Sequence, residues 1–235
     1  MKLFIHLKLK SDATFGRGDG VAGLVDEEVE HDASTGLPFL RGRTLKGLLA
    51  EECANILFAL RKQNSPYYTQ FEQAARFLFG QPGSTLMDDA SMRVGPAELP
   101  EELRKAVQAD IKRGDLTPAE VLESLTAIRR QTAIDESTGA PEEGSLRSMR
   151  VVLRDTLFTA ELSFERDPND AAKSLLAACV LSLRRAGTGR NRGRGRLVAR
   201  LYDEHGNDIT DDCFNRFRQL AGGCLLYTSP SPRDS

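Results

Sequence analysis

The sequence predicts an α+β fold with one main domain, and three observations support this prediction. The first ten residues, MKLFIHLKLK, alternate apolar and polar side chains as a half-buried strand does. From about Thr44 to Lys62, apolar residues recur at helical spacing. A chain of 235 residues with 40% apolar side chains can bury one substantial core.

The N-terminal half of the chain predicts a strand, two helices and a second strand. The opening strand places His6 on its polar face, because side chains alternate along a strand. The helix described above is followed by a helix in YTQFEQAARFLFG that ends at Gly80. STLMDDASMRV then predicts a strand that Asp88 and Asp89 interrupt.

The middle of the chain predicts a helical insertion over residues 96–130 and a protruding loop over residues 131–148. The clearest helix start is TPAE, where Thr117 caps, Pro118 fills the first helical position and Glu120 completes a capping box. The loop contains TAIDESTGAPEEGSLR, whose turn-forming residues predict a long excursion from the domain.

The C-terminal part predicts strands around one helix. MRVVLRDTLFTAELSFE predicts a strand pair or one long bent strand, and GRLVARLYD predicts the last strand. Between them, DPNDAAKSLLAACVLSLRRAG predicts a helix that starts at Asp167 and Pro168 and stops at Gly187. Without the insertion, the order is βαββαβ, the ferredoxin-like (RRM-like) pattern that many RNA-binding modules use. Because this fold hosts unrelated activities, function must be argued from the loops.

Residues 1–205 make up this domain, and two further segments follow it. Residues 206–223 are interpreted as the start of a continuation that is cut short. Residues 224–235, CLLYTSPSPRDS, resemble the translated read-through of a sequencing adapter, and we expect them not to be native protein sequence.

Composition excludes several classes of protein. No apolar run approaches the ~18 residues of a membrane helix, and the N-terminus is too short and too alternating for a signal peptide, which predicts a cytoplasmic protein without a membrane partner. The four cysteines form no CxxC pair, which argues against a zinc knuckle or a disulfide framework. The net charge of −2 predicts no general attraction to nucleic acid, so a local cluster must carry any such claim.

A basic cluster lies in RRAGTGRNRGRGRLVAR, which has seven arginines and no acid. Glycines let backbone amides approach phosphate oxygens, and arginines supply forked donors. The residues concerned are Gly187, Gly189, Gly193, Gly195, Arg190, Arg192, Arg194 and Arg196. The loop follows a helix, which suits an RNA backbone better than a nucleotide cofactor. A flexible basic turn that touches nothing is the alternative interpretation.

The opposite charge lies near the N-terminus, where VDEEVEHD holds five acids and one histidine. A solvated surface loop is one interpretation, and a site that acts on a bound polyanion is the other. Asp32 precedes an STG turn, where short acids commonly accept backbone hydrogen bonds. We therefore expect Asp32 to be structural, and we expect Glu27 and Glu28 to be solvated.

The chain carries four stretches in a fixed order: GLPFLRGRTLKGLLAEE, LFGQPGSTLMDDA, TAIDESTGAPEEGSLR and RRAGTGRNRGRGRL. Together they resemble the RAMP superfamily of CRISPR proteins, especially the backbone subunits of type III effector complexes. The resemblance spans residues 2 to about 202. The helical insertion is larger than in the usual subunit, and the C-terminal end suggests one part of a fused chain, as in type III-D systems.

The resemblance implies a filament of ferredoxin-like subunits that winds along a guide RNA and meets target RNA, with other RAMP subunits and the large subunit of the complex as partners. It places Arg41, Arg43 and Lys46 at a helix start that favours phosphate. The glycine-rich stretch binds the same RNA. TAIDESTGAPEEG resembles the thumb that such subunits push between guide and target, with Ile134 as its apolar tip.

The resemblance also implies a catalyst. In catalytic members, the loop before the LPxxxGxxLKG segment carries an aspartate required for target RNA cleavage, and Asp26 is at the matching place. A carboxylate near the scissile phosphate can hold a divalent cation, or orient or deprotonate the ribose 2′-hydroxyl. Clustered acids favour Mg²⁺ or Mn²⁺, with Asp26 as ligand, because hard oxygen ligands suit these ions. His31 could assist as an acid or base, or be an exposed bystander.

Two alternative functions remain open. A purely structural RAMP subunit that caps the 5′ end of the guide would keep the glycine-rich loop and need no aspartate at position 26. A guide-maturation ribonuclease on the same fold would depend on a histidine, such as His6 or His31, and would work without metal.

Overall fold

A computed structural model of the chain describes residues 1–20, 25–80, 90–131, 147–190 and 193–221. The helices and strands run in this order: β1 (Lys2–Leu9), α1 (Gly42–Lys62), α2 (Tyr68–Phe79), β2 (Met92–Glu98), α3 (Glu101–Arg113), α4 (Pro118–Leu125), β3 (Thr126–Gln131), β4 (Arg147–Val152), β5 (Leu157–Phe164), α5 (Asp170–Ser182), β6 (Leu197–Tyr202) and α6 (Thr210–Leu220).

The main sheet has four strands in the order β2-β5-β1-β6, and each neighbouring pair is antiparallel. Two strand–helix–strand units interlock in this order, because β1 lies between β5 and β6 while β5 lies between β1 and β2. This is the ferredoxin-like arrangement, which confirms the predicted fold class.

One face of the sheet carries the core. Alternate residues of β1 are fully or almost fully buried, as the period-2 pattern predicts: Leu3, Ile5, Leu7 and Leu9. Helices α1, α2, α5 and α6 form the second layer, and α5 is buried on nearly every side because α6 covers it from outside. On the polar face, His6 stacks on Tyr202 with ring centroids 4.0 Å apart. Burial lowers the pKa of the His6 imidazole.

A second, two-stranded sheet is formed by β3 and β4, with Thr126 paired to Val152 and Gln131 to Arg147. Of the predicted thumb loop, residues 131–148, the stretch 132–146 with Ile134 lies outside the described residues. Gln131 ends β3, and Arg147 and Ser148 begin β4. β4 and β5 belong to different sheets. This stretch therefore forms two separate strands and not one bent strand. Helices α3 and α4 occupy the middle of the segment 96–130, whose ends lie in β2 and β3.

Three further predictions can be compared with the structure. The capping box at Thr117 and Glu120 is present at the start of α4. Helix α5 begins after Asn169, whose side chain accepts from Ala172 N at 2.8 Å, and it ends at Ser182. Gly187 therefore does not stop the helix, because the chain has already turned into a hairpin that pairs Arg185 with Arg196.

The C-terminal helix α6 joins the same core. Its Phe217 is buried, and the Phe217 ring lies 4.8 Å from the Phe71 ring of α2, centroid to centroid. Residues 84–89 of the predicted second strand are outside the described residues, and β2 begins at Met92. Within the described ranges, no helix has both the length and the apolar content needed to cross a membrane.

Candidate functional site

Two oppositely charged parts of the chain meet at the free edge of β4. We define the acidic segment as residues 25–32 and the glycine-rich loop as residues 184–197. The acidic segment bridges β4 at Glu27 and Met149, and Arg150 N donates to Glu27 O at 2.9 Å. The glycine-rich loop lies beside it, because the Thr188 hydroxyl donates to Glu27 Oε2 at 3.0 Å.

Asp26 is exposed and anchored to the first residues of β4. Its N–H donates to Ser148 O at 2.8 Å, and its Oδ2 accepts from Ser148 N at 2.7 Å and from Ser148 Oγ at 3.3 Å. Its Oδ1 makes no hydrogen bond to any residue that the structure describes. The carboxylate is therefore held at Oδ2 by Ser148, and Oδ1 has no bonded partner among the described residues.

Glu28 and Arg150 form a buried ion pair that locks the acidic segment to the hairpin. Their charged atoms approach to 2.9 Å, with side chains 3% and 8% exposed. Arg150 also donates to Thr126 Oγ1 at 3.2 Å, and Glu28 Oε1 accepts from Val29 N at 2.9 Å. A buried pair of charges persists when hydrogen bonds satisfy both partners. The expectation that Glu28 is solvated is wrong, since Glu28 is buried, whereas Glu27 is partly exposed and accepts a hydrogen bond from Thr188.

Asp32 is structural, as expected. Its carboxylate accepts from the hydroxyl and amide of Ser34 and from the amide and hydroxyl of Thr35. The Ser34 hydroxyl, followed by the other donors of the turn, lowers the pKa of Asp32 below its ordinary value although partial burial opposes this. His31 is partly buried, and its Nδ1 donates to Val29 O at 2.9 Å. This bond assigns the proton to Nδ1 and leaves Nε2 as the acceptor in the neutral ring.

The glycine-rich loop is a hairpin packed on residues 10–16. Thr188 N donates to Thr14 O, and Gly195 N donates to Asp12 O, each at 2.9 Å. Gly187 and Gly195 have φ angles of +90° and +66°. A Cβ at Gly187 would lie 2.4 Å from Thr14 O, and one at Gly195 would lie 1.9 Å from Ala186 O. These two glycines are therefore required by the fold itself.

The other two predicted glycines are open. A Cβ at Gly193 would meet nothing within 4 Å, and one at Gly189 would meet only the Arg194 side chain at 3.7 Å. Both have positive φ, at +79° and +71° respectively. Their backbone is thus the part of the loop that an outside group can approach closely.

The arginines of the loop reach two neighbouring elements. Arg190 Nη1 lies 3.2 Å from Glu51 Oε2 on α1. The Arg194 guanidinium contacts the Met149 sulfur on β4. Arg192 is outside the described residues. The loop therefore sits between α1 and the β3–β4 hairpin.

The start of α1 carries the three cations that the sequence singled out. Arg41 is ion-paired to Glu30 at 2.6 Å, and Lys46 Nζ donates to Met92 O at 3.2 Å, while Arg43 is exposed. Arg43 and Glu51 lie on one side of α1, since eight residues make slightly more than two turns, about 12 Å. Because Arg190 is ion-paired to Glu51, its guanidinium lies on the same side of α1 as Arg43.

The donor set at Asp26 is small. Among the described residues, no group of three or more His, Cys, Asp or Glu side chains could hold a metal ion. Mg²⁺ typically binds through one or two carboxylates together with substrate phosphates and water. Asp26 Oδ1 is chemically suited to such a shared cation, and the described residues supply no set of protein ligands around it.

Several residues of the site were not predicted from the sequence: Thr126, Ser148, Arg150 and Thr188. Ser148 and Arg150 each lie 122 positions from the acid that they contact, and Thr188 lies 161 positions from Glu27. Nothing in their local sequence distinguishes them from ordinary strand and loop residues.

Comparisons with known proteins agree with this fold. The model of the RAMP superfamily matches residues 6–198. No curated protein matches the chain. A chain in the cryo-EM structure of Type III-B Cmr-beta bound to cognate target RNA is similar, with a TM-score of 0.60, 13% identity and coverage of 91% of this chain and 98% of that one. A chain in the cryo-EM structure of Type III-B Cmr-beta in the apo state is also similar, with a TM-score of 0.59 and 13% identity. This match covers 87% of this chain and 98% of that one.

Proposed function

The chain belongs to the RAMP superfamily, and we propose that it is a guide-RNA-binding backbone subunit of a type III CRISPR effector complex that cleaves the paired target RNA. The observation that carries this proposal is the meeting of the acidic segment and the glycine-rich loop at the Thr188–Glu27 hydrogen bond of 3.0 Å. The similar chain in a complex with bound target RNA supports it. In this role the protein acts in antiviral defence in the cytoplasm, beside other RAMP subunits and the large subunit.

Guide RNA is held along one side of α1. Arg43 is exposed there, and Arg190 reaches the same side at Glu51. The open backbone at Gly189 and Gly193 lets amides approach phosphate oxygens without side-chain obstruction. Arg41 and Lys46 already have protein partners, so they contribute positive potential around the helix start. In the family pattern, Arg192 adds a further cation and Ile134 forms the tip of the thumb.

Asp26 is the catalytic residue of the proposed reaction. Ser148 fixes Oδ2, which leaves Oδ1 for a strand lying against the exposed Asp26 side chain. Oδ1 accepts the proton of a ribose 2′-hydroxyl, whose oxygen attacks the adjacent phosphorus. The bond to the 5′-oxygen breaks, that oxygen takes a proton from water, and the hydroxide left behind removes the proton from Asp26. The products are a 2′,3′-cyclic phosphate and a 5′-hydroxyl. In the alternative in which Asp26 Oδ1 holds Mg²⁺ or Mn²⁺ instead of accepting this proton, the cation would neutralise charge on the phosphate oxygens.

The decisive experiment compares Asp26→Asn with a matched control, Asp19→Asn, in the complex assembled with guide RNA. Asp19 is also an exposed acid, and its side chain contacts only Arg17 among the described residues. We expect Asp26→Asn to slow cleavage of labelled target RNA in Mg²⁺ by about 10²-fold or more with unchanged target binding, because a general base contributes about that much. Asp19→Asn should cleave at the wild-type rate.

Three outcomes would contradict the proposal or favour an alternative function. Wild-type cleavage by Asp26→Asn removes Asp26 as the catalyst, and absence of cleavage by the unmodified complex indicates a structural subunit. Cleavage of precursor RNA in EDTA that is lost in His6→Ala or His31→Ala indicates a guide-maturation ribonuclease.

A further inference from the structure

A second basic surface is a groove of about 750 Å³ between the glycine-rich loop, the end of β1 and the β4–β5 turn. Six charged side chains line it: Lys10, Asp12, Arg129, Arg154, Asp155 and Arg194. Of these, only Arg194 belongs to a stretch that the sequence marked as a candidate binding site. We define this surface as the basic groove.

The β3–β4 hairpin separates the basic groove from Asp26. Arg129 on β3 pairs with Met149 on β4, and the Arg194 guanidinium contacts the Met149 sulfur, so both arginines lie on one hairpin face. Ser148, which holds Asp26, is adjacent to Met149 in β4 and points to the opposite face, because successive side chains alternate. One hairpin therefore carries an acidic site and a basic groove on its two faces.

The charges of the basic groove are unbalanced. Four cations face two carboxylates, and one of these is used internally. Asp12 Oδ2 accepts from Arg129 at 2.8 and 3.1 Å, and Asp12 Oδ1 accepts from Arg154 N at 3.1 Å. The Arg154 side chain is 75% exposed, and the Asp155 carboxylate lies 3.9 Å from it, the outer limit of an ion pair. Lys10 is also exposed. Asp12 therefore links β3 to the β4–β5 turn, and the side chains of Lys10 and Arg154 expose their positive charges to solvent.

We propose that the basic groove binds the ribose-phosphate backbone of a single-stranded RNA segment. Forked arginine donors and a lysine recognise phosphate, and several separated cations suit a polyanion better than one small anion. None of the described residues that line the groove is aromatic, so these residues contact the backbone of the strand and do not stack on its bases. Given the proposed function, this strand is not the strand that Asp26 acts on, because the two sites lie on opposite hairpin faces.

The test uses the full chain with a fluorescein-labelled oligouridylate of about 20 nucleotides, followed by fluorescence anisotropy over a series of NaCl concentrations. For the double variant Lys10→Gln, Arg154→Gln, we expect the Kd to rise about tenfold near 0.1 M NaCl. We expect the slope of log K against log[NaCl] to become shallower by about 1.4, since each phosphate contact on a single strand contributes about 0.7. Arg93→Gln is the matched control. Arg93 lies on β2, outside the basic groove, and is an exposed cation paired to Glu165, the residue after β5. It should bind like the wild type.

Other outcomes overturn the proposal and separate it from the proposed function. In the first, the double variant binds with the Kd and salt slope of the wild type while Arg190→Gln binds more weakly. This result would show that RNA binds the glycine-rich loop and does not bind the basic groove. Wild-type binding by all variants would contradict both proposals. Normal RNA binding by the double variant with failed incorporation into the assembled complex would identify the groove as a protein interface. Urea unfolding confirms that each variant is folded.

Discussion

The hydroxyl of Thr188 donates a 3.0 Å hydrogen bond to the carboxylate of Glu27, although 161 positions separate the two residues. This bond joins the acidic segment to the glycine-rich loop. It also places Asp26, the residue before Glu27, beside Ser148 near the start of β4. The two charge clusters that lie near opposite ends of the sequence are therefore parts of one site.

The buried ion pair of Glu28 and Arg150 should carry a large share of local stability. Glu28→Gln leaves the Arg150 charge buried without its partner, so we expect a loss of about 3–5 kcal/mol in the free energy of unfolding. Arg93→Gln breaks an exposed pair with Glu165 and should cost less than about 1 kcal/mol. Urea unfolding measures both. Equal, small losses would show that the buried pair does not hold the acidic segment.

Two glycines of the glycine-rich loop should respond differently to alanine. Gly195→Ala would drive a Cβ into Ala186 O at 1.9 Å and should destabilise the fold by several times more than the φ strain of about 1–2 kcal/mol. Gly193→Ala has a similar positive φ and open space, so it should show that strain alone. The measurement is the difference in urea midpoint. Indistinguishable midpoints would contradict the tight packing of Gly195.

Asp32 should give the protein a pH-dependent stability. The hydroxyl of Ser34 and its neighbouring donors lower the pKa of folded Asp32 below the ordinary 3.8. The ionised carboxylate therefore stabilises the native state above the unfolded pKa, and this contribution is lost as the pH falls through the folded pKa. The stability difference between wild type and Asp32→Asn should shrink between about pH 6 and about pH 3. A difference that stays constant or grows on acidification would contradict this assignment.

The ion pair of Arg190 and Glu51 should compete with RNA for Arg190. Glu51→Gln releases the guanidinium and removes a carboxylate, so we expect oligouridylate to bind about two- to threefold more tightly. Arg190→Gln should bind more weakly, with a salt dependence shallower by about 0.7. Fluorescence anisotropy measures both effects. Weaker binding by Glu51→Gln would mean that the pair positions Arg190 for RNA, contrary to this prediction.

Local patterns predicted much of the fold. The alternation of β1, the helical spacing of α1 and the capping box before α4 involve residues within a few positions of one another, so their outcome depends little on the rest of the chain. Gly187 shows the limit of such reasoning. Its place after an apolar helix resembles a helix stop, but its φ of +90° serves a hairpin that packs on Thr14.

The sequence by itself determined the α+β class, the βαββαβ order of the core elements, the positions of the two charge clusters and the structural role of Asp32, because each depends on residues close together in the chain. It did not predict strand β3 or helix α6. Only the tertiary structure decided that Glu28 is buried against Arg150, that Glu27 meets Thr188, and that cations from four separate elements share one groove. Pairing across the sheet and hairpin sets these contacts, and no local pattern encodes which distant strand edge a charged side chain will meet.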